Sequence, residues 1–260
     1  MGEYFECKSG ELCKEADCCK SYKTVQSFCL ADYIRLAEHE DISLEYLWRS
    51  KGDVCLSSHD NIKPGEFLLY LGLKHDPCPY LDGHKCSVHE IKPLACGTFP
   101  LLLYTFKPEI VIPHYKDFKC LQNVELPDDQ LDLIKDVKEL YDEFTNLDKE
   151  YLFPEPIVVK ANSKFMVKSL IDRAIDKMAI ADPQMQTEKS KILLDRIEKE
   201  RSLPDYFLSD IDDFLQFIRP VVHIIFEDYI AKRLKLIDKN VKKKYKPLNE
   251  KWIELNKKLS

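Results

Sequence analysis

The sequence predicts an α+β chain that is mostly helical. A small irregular Cys-rich domain with short strands is expected over residues 1–125, and an α-helical part over residues 126–260. Three observations carry this. All ten cysteines lie between Cys7 and Cys120, and none follows. In the second half, apolar residues recur at spacings of three and four, the signature of one helix face. In the first half, several apolar runs are short and contain aromatics, as strands do.

The elements follow in order. Residues 30–39 and 43–50 read as two short helices, with Ser43 as the N-cap of the second. Residues 67–73 and 101–106 read as strands, and residues 110–112, after the Lys107-Pro108 turn, as a partner for the latter. The boundary is expected near Leu126-Pro127-Asp128, where Pro127 suits a first helical position and Asp128 and Asp129 favour a first turn. Leu131, Ile134, Val137, Tyr141 and Phe144 then define one apolar face. Further helices are expected over residues 163–180, 186–200, 211–218 and 221–237, punctuated by Pro154, Pro156, Pro183, Pro204 and Pro220. No internal repeat is present.

Composition excludes several classes. With 45% hydrophobic and 32% charged residues, the chain is an ordinary globular one. Its 7 glycines include no pair separated by one residue, so there is no Rossmann fingerprint. There is likewise no Walker-type phosphate loop and no Gly-x-Ser-x-Gly nucleophile elbow. The longest apolar runs, residues 67–73 and 99–106, are too short to span a bilayer. Residues 1–10 lack the apolar core of a signal peptide. A cytoplasmic location is therefore expected, with no membrane partner. In a reducing compartment, ten cysteines point to metal or redox chemistry rather than disulfides.

The cysteines fall in two clusters. The first is Cys7, Cys13, Cys18 and Cys19. The second is Cys78-Pro79-Tyr80-Leu81, Cys86-Ser87-Val88-His89-Glu90, Lys92-Pro93 and Cys96, ending at Phe99-Pro100, with Cys120 following alone. Thiolates are soft, anionic ligands, and a cation offsets the repulsion that otherwise keeps grouped thiols protonated. These residues resemble the CxxCxxCC, or YkgJ-type, zinc- or iron-chelating domain, a family related to the flagellin lysine-N-methylases. The likeness covers roughly residues 5–122 and includes the segment Asp32-Tyr33-Ile34-Arg35-Leu36-Ala37 with Ile42-Ser43 beyond it. It implies a metal-ligand set of Cys7, Cys13, Cys18, Cys19, Cys78, Cys86, Cys96 and Cys120. The first cluster is stretched relative to the family form, and Asp17 stands for a small spacer. His89 stands for a Tyr, Lys92 for an Arg, and Gly97 for an Arg.

Eight sulfurs suit two four-thiolate zinc sites, or an iron–sulfur cluster with a second site. Zinc and iron both remain open. Adjacent side chains diverge, so Cys18 and Cys19 are expected to serve different centres or to split between ligation and packing. Cys29 and Cys55 lie outside the set and read as core or cap residues. His84 and His89 flank Cys86 and are secondary ligand candidates, with Glu90 beyond them. His59, His75 and His114 have no ligand spacing.

Charge is uneven. Residues 232–260 carry 11 Lys/Arg against 3 Asp/Glu, a net +8, which leaves −14 on the rest given the formal total of −6. Such a segment can bind nucleic acid or an anionic membrane surface, but it reads first as the solvated face of a terminal helix, or as one docking on the acidic remainder. Nucleic acid is not the expected partner.

Three functions follow as expectations. One is a cysteine-cluster protein binding zinc or an iron–sulfur cluster, with the helical half holding a protein partner. The second, implied by the resemblance alone, is a lysine-N-methylase-like enzyme. The third is a structural zinc module in an interaction protein. No catalytic residue is assigned.

Overall fold

The structure is a computed structural model that describes residue 19 and residues 28–57, 63–74, 77–83, 85–98, 128–180, 186–203 and 211–259. It is mostly helical, with a small three-stranded sheet. Helices α1 (Leu30–His39) and α2 (Leu44–Lys51) form where the apolar spacing places them. Ser43 caps α2, its Oγ accepting the Tyr46 N–H at 3.1 Å, a contact of the kind that contributes about 1 kcal/mol.

Strand β1 (Gly52–Ser57) leaves α2 directly and pairs antiparallel with β2 (Glu66–Leu73), Gly52 opposite Leu73 and Ser57 opposite Leu68. The other edge of β2 pairs with a strand from the second half, Val158–Lys160, with Phe67 opposite Val159. This corrects the expectation that the second half is helical throughout. Ile157-Val158-Val159 is β-branched and preceded by Pro156, and Val159 is buried while Val158 is exposed. Such alternation suits a pleated edge. A two-stranded hairpin, β3 (Leu81–Asp82) and β4 (Lys85–Cys86), lies outside this sheet. The short helix α3 (Leu94–Thr98) follows a helical turn at His89–Ile91. The Val158–Lys160 strand is β5.

The remaining elements are α4 (Asp128–Tyr151), α5 (Lys164–Ile180), α6 (Gln186–Ser202), α7 (Ile211–Lys235) and α8 (Lys239–Leu259). On α4, Val137 and Phe144 are buried as expected, and Leu140 joins them. Pro220 does not end a helix: α7 runs through it. Proline removes one backbone hydrogen bond. Ile218, Val221 and Val222 flank it and are fully buried, and that packing outweighs the loss. The expected 101–106 and 110–112 strands lie outside the described residues, as does the turn at Leu126-Pro127.

The core is continuous from one half to the other. Helix α7 packs on α2, β1, α5 and α6, and α8 packs on α1, α3, α4 and the His89–Ile91 turn. The two tryptophans fasten this seam reciprocally. Trp48 of α2 donates its indole N–H to the Glu227 carbonyl of α7 at 3.0 Å. Trp252 of α8 donates to the Lys92 carbonyl at 2.9 Å. Both are fully buried. Asp53 of β1 adds polar ties to α7, with Arg219 Nε at 3.3 Å and His223 Nδ1 at 3.0 Å.

Candidate metal centre

Four of the eight expected ligands are described, Cys19, Cys78, Cys86 and Cys96, and they lie near enough to bear on one another's ionisation. Cys78 opens the turn into β3, and Cys86 ends β4 opposite Leu81. Backbone bonds fix this loop: Leu81 N–H donates to Cys78 O at 3.0 Å, and Ser87 N–H to Tyr80 O at 2.9 Å. Cys19 is joined to it by the Cys78 N–H, which donates to the Cys19 carbonyl at 2.7 Å. Cys96 arrives from α3.

The four sulfurs sense one another. The Cys78 thiol is hydrogen-bonded to Cys19, and this contact followed by burial pushes it up. Burial pushes Cys96 up well above the usual thiol range, with the fields of Cys78, Cys19 and Cys86 adding to it. Cys86 is also raised, first by burial and then by Cys78, while Lys92 acts in the opposite direction. None of the four is in a disulfide. Each charge placed on one sulfur would oppose a charge on the next, and a bound cation reverses that sign.

The donor chemistry fits a thiophilic ion, since the group is all sulfur and carries no disulfide. Among the described residues, no three His, Cys, Asp or Glu are grouped as a bound ion would require. Cys7, Cys13, Cys18 and Cys120 lie outside the described residues, as do His59, His75, His84 and His114. His89 is half-buried, and burial together with Lys92 lowers its basicity. Its carbonyl and that of Glu90 accept the Asn256 amide, each at 3.2 Å.

A buried polar framework places the Cys96 helix. Asp32 and Arg35, three residues apart on α1, form an ion pair that is nearly inaccessible to solvent. Asp32 also accepts the Leu94 N–H at 2.9 Å, which caps the start of α3. Its second oxygen takes the N–H and S–H of Cys29, both at 3.1 Å. Arg35 donates to the Lys92 carbonyl at 3.3 Å and to Asn249 Oδ1 of α8 at 2.6 Å. The carboxylate and guanidinium therefore offset their desolvation with several hydrogen bonds. On the other side, Tyr80 is hydrogen-bonded to Glu40, and Lys51 pairs with Glu40 at 2.6 Å and lies over the Tyr80 ring.

Sequence reasoning did not assign these framework roles. The available signal was an Asp and an Arg at helical spacing inside the otherwise apolar segment 30–37. Cys29 and Cys55 behave as expected. Cys29 is the buried residue before α1, and its thiol is raised by burial and by Asp32. Burial pushes Cys55 up to about 12.

Gly97 stands where the resembled family has Arg. A Cβ there would come within 2.4 Å of the Trp252 ring and 2.9 Å of Asn256 Oδ1. The C-terminal helix thus covers the face that an arginine would occupy. The chain matches no protein-family model, no curated protein and no solved structure.

Proposed function

We propose that this is a cysteine-cluster protein of the YkgJ type, binding zinc or an iron–sulfur cluster through clustered thiolates. The helical half would hold a protein partner. The observation that supports it is that Cys78 is hydrogen-bonded to Cys19 and that Cys19, Cys78 and Cys86, from separate segments, all act on the thiol of Cys96, with no disulfide among them. A bound metal would supply a positive charge that keeps these sulfurs ionised. The residues around them fix the loop and helix that present the sulfurs, chiefly Asp32, Arg35 and Tyr80.

A structural zinc module is the second reading, favoured by the hairpin. Two strands of two residues are too short to persist alone, and a link between Cys78 and Cys86 would hold them. A zinc closed by four sulfurs has no open position, so no hydrolytic chemistry is expected there.

The test is metal analysis and a spectrum of the full chain purified without oxygen. At least one metal per chain is expected, and Cys86→Ala or Cys96→Ala should lower both metal content and stability. Absorption at roughly 400 nm, bleached on reduction, assigns an iron–sulfur cluster, and a colourless zinc protein assigns the structural module. A normally folded chain with under one metal per molecule overturns the proposal.

A further inference from the structure

The lysine-rich end of the molecule is unusual in what it does not do. Asp238 is the only acid between residues 232 and 246. Its carboxylate is taken up by the first turn of α8, accepting the Asn240 and Val241 N–H groups at 2.8 and 2.9 Å. Lys244 pairs with Glu150 at 3.3 Å, and Lys246 reaches Glu250 at 3.9 Å. Lys232, Lys235, Lys239 and Lys243 are exposed and form no ion pair among the described residues. Lys239 and Lys242 also sit in the first turn of α8, where the one neighbouring acid, Asp238, is engaged by the backbone N–H groups rather than by a lysine.

Apolar side chains protrude from the same corner. Leu236, in the turn between α7 and α8, is 70% exposed, and Tyr229, on the last two turns of α7, is 43% exposed. Lys232 lies between them in the chain. The two aromatics inside the basic segment, Tyr245 and Trp252, are fully buried and offer no stacking platform for bases. No helix among the described residues is long and apolar enough to cross a membrane.

We propose that the α7–α8 corner docks on an anionic lipid surface. Leu236 would enter the interface, Tyr229 would sit at headgroup level, and Lys232, Lys235, Lys239 and Lys243 would face the lipid phosphates and carboxylates. The charge distribution suits one orientation. Residues 232–246, which form the corner, carry 8 Lys/Arg against 1 Asp, a net +7, which leaves −13 on the rest of the chain, so an anionic surface favours this stretch over the remainder. None of the residues of this surface is one of the cysteines.

The test is flotation of the full chain with vesicles of phosphatidylcholine alone, or with about one third phosphatidylserine. Binding is expected only to the anionic vesicles at about 0.05 M salt, and it should be lost at about 0.5 M. Lys239→Glu with Lys243→Glu should weaken partition by more than ten-fold, and Leu236→Asp should weaken it by several-fold. Both variants must match the parent's circular dichroism and melting temperature, as expected for exposed side chains. Failure to bind anionic vesicles at low salt overturns the proposal. So does undiminished binding of the folded charge-reversed variant. Binding of single-stranded RNA without vesicle binding overturns it in favour of a nucleic-acid surface.

Discussion

Asp148 shows how much one buried carboxyl can set the pH response of the fold. It lies on α4 beside the start of α1, accepting the Leu30 N–H at 2.9 Å and the Tyr245 hydroxyl at 3.0 Å. Burial pushes it up to about 7 from 3.8, and those two hydrogen bonds act in the opposite direction. The folded chain therefore holds this proton more tightly than the unfolded one. Its contribution to stability is full below the unfolded value and is lost as pH rises through about 7. Thermal melts of Asp148→Asn should match the parent near pH ~4 and show a higher melting temperature at pH ~8. Parallel curves for the two chains would show that Asp148 is not the source. Nothing in the sequence marked this residue, because its role depends on a neighbour far away along the chain. The cap at Ser43 was legible, since a serine before an apolar helical run acts on its own first turn.

At the scale of elements, legibility followed how local the cause was. Helices α2, α4, α5 and α6 could be read from spacing and caps, and α1, buried on all sides over residues 30–37, from its run of apolar residues. Pro220 was misleading because its local cost is outweighed by burial of Ile218, Val221 and Val222. Strand β5 was missed because three residues give no period, and only pairing with β2 makes them a strand. In the candidate site, the spacing of the cysteines stands in the sequence, whereas the polar framework around the described ones does not. The contact of α3 with α8 carries a test of that framework. Gly97→Ala would drive a methyl into the Trp252 ring and should destabilise the chain by about 1–3 kcal/mol in urea titrations. In a Trp252→Leu background the same substitution should cost less, because the two nearest atoms it strikes are gone and only Asn256 Oδ1 remains. Equal costs in the two backgrounds would show that the contact is not tight.

For the whole molecule, the uneven placement of cysteines suggested two parts, yet one hydrophobic core joins the residues described on either side. Helix α8 supplies Tyr245, Trp252 and Leu255 to that core and Asn249 to the Arg35 network. A chain lacking residues 239–260 should therefore lose cooperative unfolding and near-ultraviolet dichroism, including in its first half. Retention of a sharp, unshifted melt would show that the first half is self-sufficient. Composition revealed the charge asymmetry but not that Lys244 and Lys251 are tied to Glu150 and Glu143 of α4, while Lys232, Lys235, Lys239 and Lys243 form no ion pair among the described residues. The reciprocal indole bonds have an optical consequence. The chain has 2 tryptophans, and both straddle the seam between its halves. Its intrinsic fluorescence is thus almost entirely a report on that seam. With Trp48 replaced by Phe, the remaining emitter lies against Gly97, beside Cys96, and becomes a built-in gauge of events at the sulfurs.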